Sequence, residues 1–196
     1  MQKWQIREQF NLGSSKSGHY GHKGIPGHQG GSASSGGGMS LESVVGLVTE
    51  NSPVSTNLRQ GRELDETERA IVNALDSSMS PMIEDVVLHR VVNIKGPDQA
   101  KAIYGTSSRL KEGDTFDDRG YASTTDNIKT LRTFAKEGAS YMRIHLKKGQ
   151  KALDLRGKGN WGTEGEVLMP RGTTFRVVGR SWDEKTERSW LELEVQ

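Results

Sequence analysis

The chain has 196 residues, of which 27 are Lys or Arg and 25 are Asp or Glu, giving a formal net charge of +2. A balance this close to neutral gives no basis for a polyanion binder or an acidic tail, so nucleic acid is not an expected partner. The absence of cysteine excludes disulfides, thiolate catalysis and Cys-based zinc sites.

Residues 1–40 are dominated by Gly and Ser and carry His19, His22 and His28. Glycine-rich backbone holds no fixed ligand geometry, so this stretch reads as a flexible leader and not as a metal site. A folded domain is expected over 41–196. In LDETERAIVNALDSSM, Asp65 precedes Glu68 by three residues, and Leu64, Ile71 and Leu75 recur at helical spacing; this predicts a capped amphipathic helix ending before Pro81. The β-branched run DVVLHRVVNI predicts a buried strand with Arg90 in its middle. A guanidinium there cannot lose its proton, so it must find an anion.

A short helix from Asp98 to Tyr104 and a polar loop with Lys111, Gly113 and Asp114 should follow. FDDRGYASTTDNIKTLRTFAKEG changes from strand-like to helix-like, with Asp126 as the expected cap of a helix presenting Ile128, Leu131 and Phe134 or Ala135. Ser123, Thr124 and Thr125 stand at that junction, where hydroxyls serve strand ends as readily as chemistry. YMRIHLKKG alternates, with Met142, Ile144 and Leu146 on one face and Tyr141, Arg143 and His145 on the other. KALDL adds a short strand, and the C-terminal stretch reads as a closing hairpin in which Leu191, Leu193 and Val195 face inward and Trp182 and Trp190 pack. Tyr121 reads as packing with a satisfied hydroxyl. One helix followed by strands mixed with short helices makes the fold class α+β, not a doubly wound sheet.

Glu164 and Glu166 stand two residues apart at the head of GTEGEVLMPRGTTFRVV. In an extended segment such side chains point the same way, so both carboxylates would face one cleft; the plainer alternative is a solvated edge strand.

An arginine inside a first strand, a strand-borne S-T-T, and E-x-E followed by VLMPRGTTFRVV fall in one order over residues 64–196. The set resembles the Arg-Ser-Glu class of mono-ADP-ribosyltransferases, which includes bacterial toxins and phage-encoded modifiers. The resemblance implies an ADP-ribosyltransferase-like fold of two packed, mostly antiparallel sheets with short flanking helices. It implies NAD as substrate, no metal, and transfer of ADP-ribose through an oxocarbenium-like state like that of glycosidases. Glu166 then becomes the catalytic carboxylate on the ribose 2′-hydroxyl, Ser123 the hydroxyl orienting it, and Arg90 the guanidinium on the NAD phosphates. Val91, Thr124, Thr125 and Phe134 join the NAD side. Glu164, as glutamate rather than glutamine, implies an arginine acceptor on a protein, and Trp161 in RGKGNWGT a platform for it. Residue 91 is valine where many members have glycine, and His89 stands where many have tyrosine.

Two other readings remain at the level of sequence. An NAD glycohydrolase would use the same residues on water, and a non-enzymatic, phage head-associated module would retain the fold with the leader as tether to a larger phage or toxin assembly. No apolar run is long enough to span a bilayer and MQKWQIREQF lacks a signal-peptide core, so host cytoplasm or virion is expected over classical secretion, with no membrane partner.

Overall fold

A computed structural model of the chain describes residues 53–93, 104, 109–131, 135, 139–158, 164–184 and 188–196. The leader, the helix expected from Asp98 (save Tyr104), Phe134 and Trp161 lie outside them.

Two helices come first, α1 (Val54–Gln60) and α2 (Glu66–Ser78). The first closes on Gly61, whose φ of +65° suits a residue without Cβ and lets its N–H reach Leu58 O at 3.1 Å. The second starts as the sequence predicts: Glu68 N–H donates to Asp65 at 2.8 Å, and Asp65 N–H donates back to Glu68 at 3.0 Å. Its Ile71, Val72 and Leu75 are buried, and full burial of a side chain such as Leu75 contributes about 1.5–3 kcal/mol.

The strands are β1 (Ser80–Pro81), β2 (Val86–Asn93), β3 (Thr115–Asp118), β4 (Ala122–Thr125), β5 (Ala139–Leu146), β6 (Lys151–Asp154), β7 (Glu166–Met169), β8 (Thr173–Asp183) and β9 (Arg188–Val195). Their hydrogen-bonded order is β1-β6-β7-β4-β2-β5-β9-β8-β3, antiparallel throughout except between β5 and β9. Phe116 and Phe175 from one end of that order share a core with Ala152, Val167 and Met169 from the other. The sheet therefore bends back on itself into two layers, with Leu88, Val92, Met142 and Ile144 between them. This is the α+β architecture expected from the sequence.

The opposite face of the strands is covered in two places. Helices α1 and α2 lie over Leu153 and Leu168 of β6 and β7, and α3 (Ile128–Leu131) lies over Val91, Tyr141 and Trp190 of β2, β5 and β9. Between the two covers, β7, β4 and β2 present polar side chains.

Two expectations are corrected. Asn127, not Asp126, caps α3, because Lys129 N–H donates to Asn127 Oδ1 at 3.2 Å while Asp126 turns toward Gly165 and Arg156. Trp182 does not pack: it lies across from Ser189, a pair further along the hairpin than Ser181 and the buried Trp190, and is 64% exposed. Tyr121 behaves as predicted, buried with its hydroxyl donating to Asp76 at 2.6 Å.

Candidate active site

Strand register assembles the polar strip. Glu166 pairs with Thr125, Thr125 with His89, His89 with Arg143 and Arg143 with Glu192, so five strands contribute one residue each to a single row. Paired residues share a face, so His89, and not its neighbour Arg90, is the β2 side chain in line with Glu166. Ser123 stands in the adjacent row and its Oγ donates to Glu166 Oε1 at 2.7 Å.

Glu166 is only 6% exposed. Burial pushes its carboxyl above the ordinary carboxylate range, the Ser123 hydrogen bond opposes that rise, and the charge of Glu164 adds to it. Glu164 is half-buried and is itself raised by burial. Its side chain has no partner among the described residues. The two carboxylates are close enough to repel, but not through strand alternation: Glu164 lies in a turn, and Gly165 between them has a φ of +62°. The strip can therefore hold one shielded, hydroxyl-oriented carboxylate beside one with its acceptor capacity free, an arrangement suited to stabilising a cation and taking up a proton.

Arg90 finds its anion in Asp118. The guanidinium Nη1 donates to Asp118 Oδ2 at 3.1 Å, and Arg59 from α1 holds Asp118 Oδ1 at 2.7 Å. Asp118 is buried, which alone would raise its carboxyl, but the Arg90 and Arg59 charges bring it below the usual range. Two guanidiniums thus share one carboxylate. Strands β2 and β4 match in register only at His89 and Thr125, whereas β2 and β5 match over eight pairs. Beyond the single pair the strands part, with Arg90 and Val91 on one side and Ser123 and Thr124 on the other. The Thr124 hydroxyl is committed to Val167 O and that of Thr125 to Glu164 O.

His89, Asp118, Arg59, Asp126 and Arg156 were not singled out as site residues by sequence reasoning. Only His89 had a signal, its position before the strand arginine. Its imidazole is held below its ordinary value by burial and then by Arg143, so it is neutral near pH 7, and its ring meets Trp190 edge-on at 5.3 Å. No cluster of three or more His, Asp or Glu that could hold a metal occurs among the described residues.

The sequence profile of the ADP-ribosyltransferase exoenzyme family matches residues 47–195. The chain belongs to that family. The matched region is thus an ADP-ribosyltransferase exoenzyme domain. Among curated proteins, Exoenzyme T of Pseudomonas aeruginosa is 32% identical over 143 residues, which make up 68% of this chain and 28% of that protein. The chain spans little more than a quarter of that relative's length. Among solved structures, Exoenzyme S of Pseudomonas aeruginosa, in complex with human 14-3-3 protein beta and bound to carba-NAD, superposes with a TM-score of 0.59 at 22% identity, covering 77% of this chain and 70% of that one. C3stau2 of S. aureus with NAD gives 0.61 at 20% identity, covering 78% and 84%. At these identities the two structures establish the fold. No helix among the described residues is long and apolar enough to cross a membrane.

Proposed function

We propose that this domain transfers ADP-ribose from NAD to an arginine side chain of a protein. The observation that carries the reading is the pair of unequal carboxylates: Glu166 buried and hydrogen-bonded by Ser123, Glu164 half-buried and without a side-chain partner among the described residues. The C–N bond between nicotinamide and ribose breaks with its electron pair leaving on the nicotinamide nitrogen, which becomes neutral. The ribose carbon left behind is an oxocarbenium-like centre, and Glu166 stabilises it while accepting a hydrogen bond from the 2′-hydroxyl. A guanidinium nitrogen of the acceptor then forms the new C–N bond, and Glu164 takes the proton released. A free guanidinium is fully protonated near neutral pH, so it needs a carboxylate in that place to become a nucleophile.

On the donor side, Arg90 is the candidate for the NAD diphosphate. Among the described residues Nη1 is engaged by Asp118, and a guanidinium has five donors in all. The parting of β2 from β4 supports a nicotinamide position between the Arg90–Val91 and Ser123–Thr124 backbones. Thr124 and Thr125 serve this site by fixing the carbonyls of Val167 and Glu164. Phe134 and Trp161 keep the roles that the family resemblance gives them, against nicotinamide and acceptor respectively.

The test is incubation of the purified chain with labelled NAD and agmatine, beside Glu166→Gln and Glu164→Gln. Glu166→Gln should lower both nicotinamide release and agmatine labelling by about a thousandfold, the scale on which loss of a transition-state contact registers. Glu164→Gln should remove labelling while much of the nicotinamide release persists. Full-rate labelling of agmatine by the Glu164 variant would show that the roles have been assigned wrongly.

A further inference from the structure

Glu164 lies in a turn, where a side chain's aim is set by whatever holds the backbone. Three contacts hold this one. The Thr125 hydroxyl donates to Glu164 O, Asp126 N–H donates to Gly165 O at 3.0 Å, and the Asp126 carboxylate occupies the space that a Cβ on Gly165 would take. The last approach is so close that a Cβ at residue 165 would fall 1.9 Å from Asp126 Oδ1. With φ at +62° the middle position of E-G-E favours glycine by backbone conformation, and a Cβ there would in addition force the Asp126 carboxylate to move.

The other oxygen of Asp126 faces Arg156, with Oδ2 3.7 Å from Nη1. Arg156 is fixed in turn by a two-pronged contact with Asp154, Nε to Oδ1 at 2.9 Å and Nη2 to Oδ2 at 2.8 Å, and by Glu84 at 3.2 Å. Leu155 N–H, one residue earlier, donates to Glu166 O at 3.0 Å. The guanidinium thus links the β1–β2 turn, the end of β6 and the end of β4, and Asp126 passes that anchorage to the peptide joining the two glutamates.

We infer that Asp126, braced by Arg156, is a positioning residue that sets the direction of Glu164 and so decides whether ADP-ribose goes to a guanidinium or to water. The inference rests on the reading of Glu164 as the acceptor's carboxylate. Glu166 keeps its own supports, the Ser123 hydroxyl and the β4–β7 ladder, so loosening the turn uncouples transfer from cleavage of NAD. Gly165→Ala should act the same way by forcing Asp126 aside.

The experiment follows nicotinamide release without acceptor and agmatine labelling with it, in the full chain and in Asp126→Ala, Arg156→Gln, Arg156→Lys and Gly165→Ala. Asp126→Ala and Arg156→Gln should lower labelling about tenfold or more through a higher KM for agmatine, while release without acceptor stays within about threefold. Arg156→Lys, which keeps the charge but not the fork, should fall between wild type and Arg156→Gln. Gly165→Ala should be less damaging in an Asp126→Gly background than alone, since the clash is with the Asp126 carboxylate. Equal losses in labelling and release, or additive effects of Gly165→Ala and Asp126→Gly, would overturn the proposal by making the cluster a plain structural support. A second readout does not depend on the acceptor: amide hydrogen exchange in a peptide covering residues 164–169 should quicken in Asp126→Ala, and an unchanged rate overturns the clamp. If the wild type releases nicotinamide and never labels agmatine, the arginine reading and the partitioning role fall together. Quickened exchange in that case would still show that Asp126 holds the turn.

Discussion

The proposed chemistry depends on one carboxylate kept ionised in a place that disfavours the charge. Burial raises the Glu166 carboxyl and Ser123 opposes the rise, so the acid limb of kcat/KM should lie above the range of an exposed glutamate, with activity lost as pH falls through it. Ser123→Ala removes the opposing hydrogen bond, so it should move that limb to higher pH and lower the plateau about ten- to a hundredfold, measured from nicotinamide release across pH. The same shift has a sign for stability. A carboxyl that titrates higher when folded than when unfolded makes the folded state the better proton binder, so its penalty is absent at low pH and complete above the folded value. Glu166→Gln should therefore raise Tm at about pH 8 and leave it nearly unchanged at about pH 4. If Tm falls at both, the carboxylate is structurally supported and not strained. At this scale the sequence grouped Ser123, Glu164 and Glu166 by residue type and spacing, and the structure brings Ser123 to Glu166; their roles belong to the proposal. The partner of Arg90 was not legible, since Asp118 lies 28 residues away and across several strands of the sheet. The way the two glutamates come together was also misread: they meet through a left-handed glycine turn, and sequence alternation cannot show a φ.

Between elements, the least replaceable contact is the buried group formed by Arg59, Asp118 and Arg90. It fastens α1 to the β3–β4 turn: Arg59 also donates to Tyr121 O at 2.7 Å, and Gly120 N–H donates to Asp118 at 3.0 Å. Removing the carboxylate takes the shared anion from both guanidiniums, whereas removing Arg59 leaves Asp118 still paired with Arg90. Asp118→Asn should therefore cost more than Arg59→Met, about 3–5 kcal/mol for breaking a buried pair on one side, read from urea unfolding. An Arg59→Met change at least as costly as Asp118→Asn would mean that packing of the arginine stem dominates the group. The elements themselves divide along physical lines. The capping box of α2 and the alternation of β5 are local patterns, and both were predicted. Asp126 stood at a cap position by spacing and was drawn away by Arg156 and Gly165, a tertiary contact overriding a local preference. Trp182 was expected to pack because tryptophan usually does, but the hairpin carries it to a position where no described element covers it.

At the scale of the whole molecule, the sheet is completed by the last strand of the chain. Strand β9 lies between β5 and β8, parallel to the first and antiparallel to the second, so neither neighbour has its full set of hydrogen bonds until residues 188–195 are in place. The α+β class was legible from the order of elements and the two packed layers were implied by the family resemblance, but this insertion was not, since a closing hairpin read from the sequence needs only its own two strands. Its consequence is that the C-terminus acts at a distance on the site. Arg143 of β5 is held by Glu192 of β9 at 2.7 Å, and Arg143 pairs across β2 with His89 in the row that ends at Glu166. Leu193 is fully buried in the core between the layers, so Leu193→Ala should cost about 2–5 kcal/mol in urea unfolding. Trp182→Ser, on the exposed side of the same hairpin, should change stability by no more than about 0.5 kcal/mol. Removing residues 188–196 should abolish the cooperative transition, because two edges would open in the middle of the sheet and the core would lose Trp190, Leu191 and Leu193 together. A shortened chain that still unfolded cooperatively and released nicotinamide at the wild-type rate would show that β2, β4 and β7 form an independent unit, and that the row reaching from Glu192 to Glu166 carries no mechanical load.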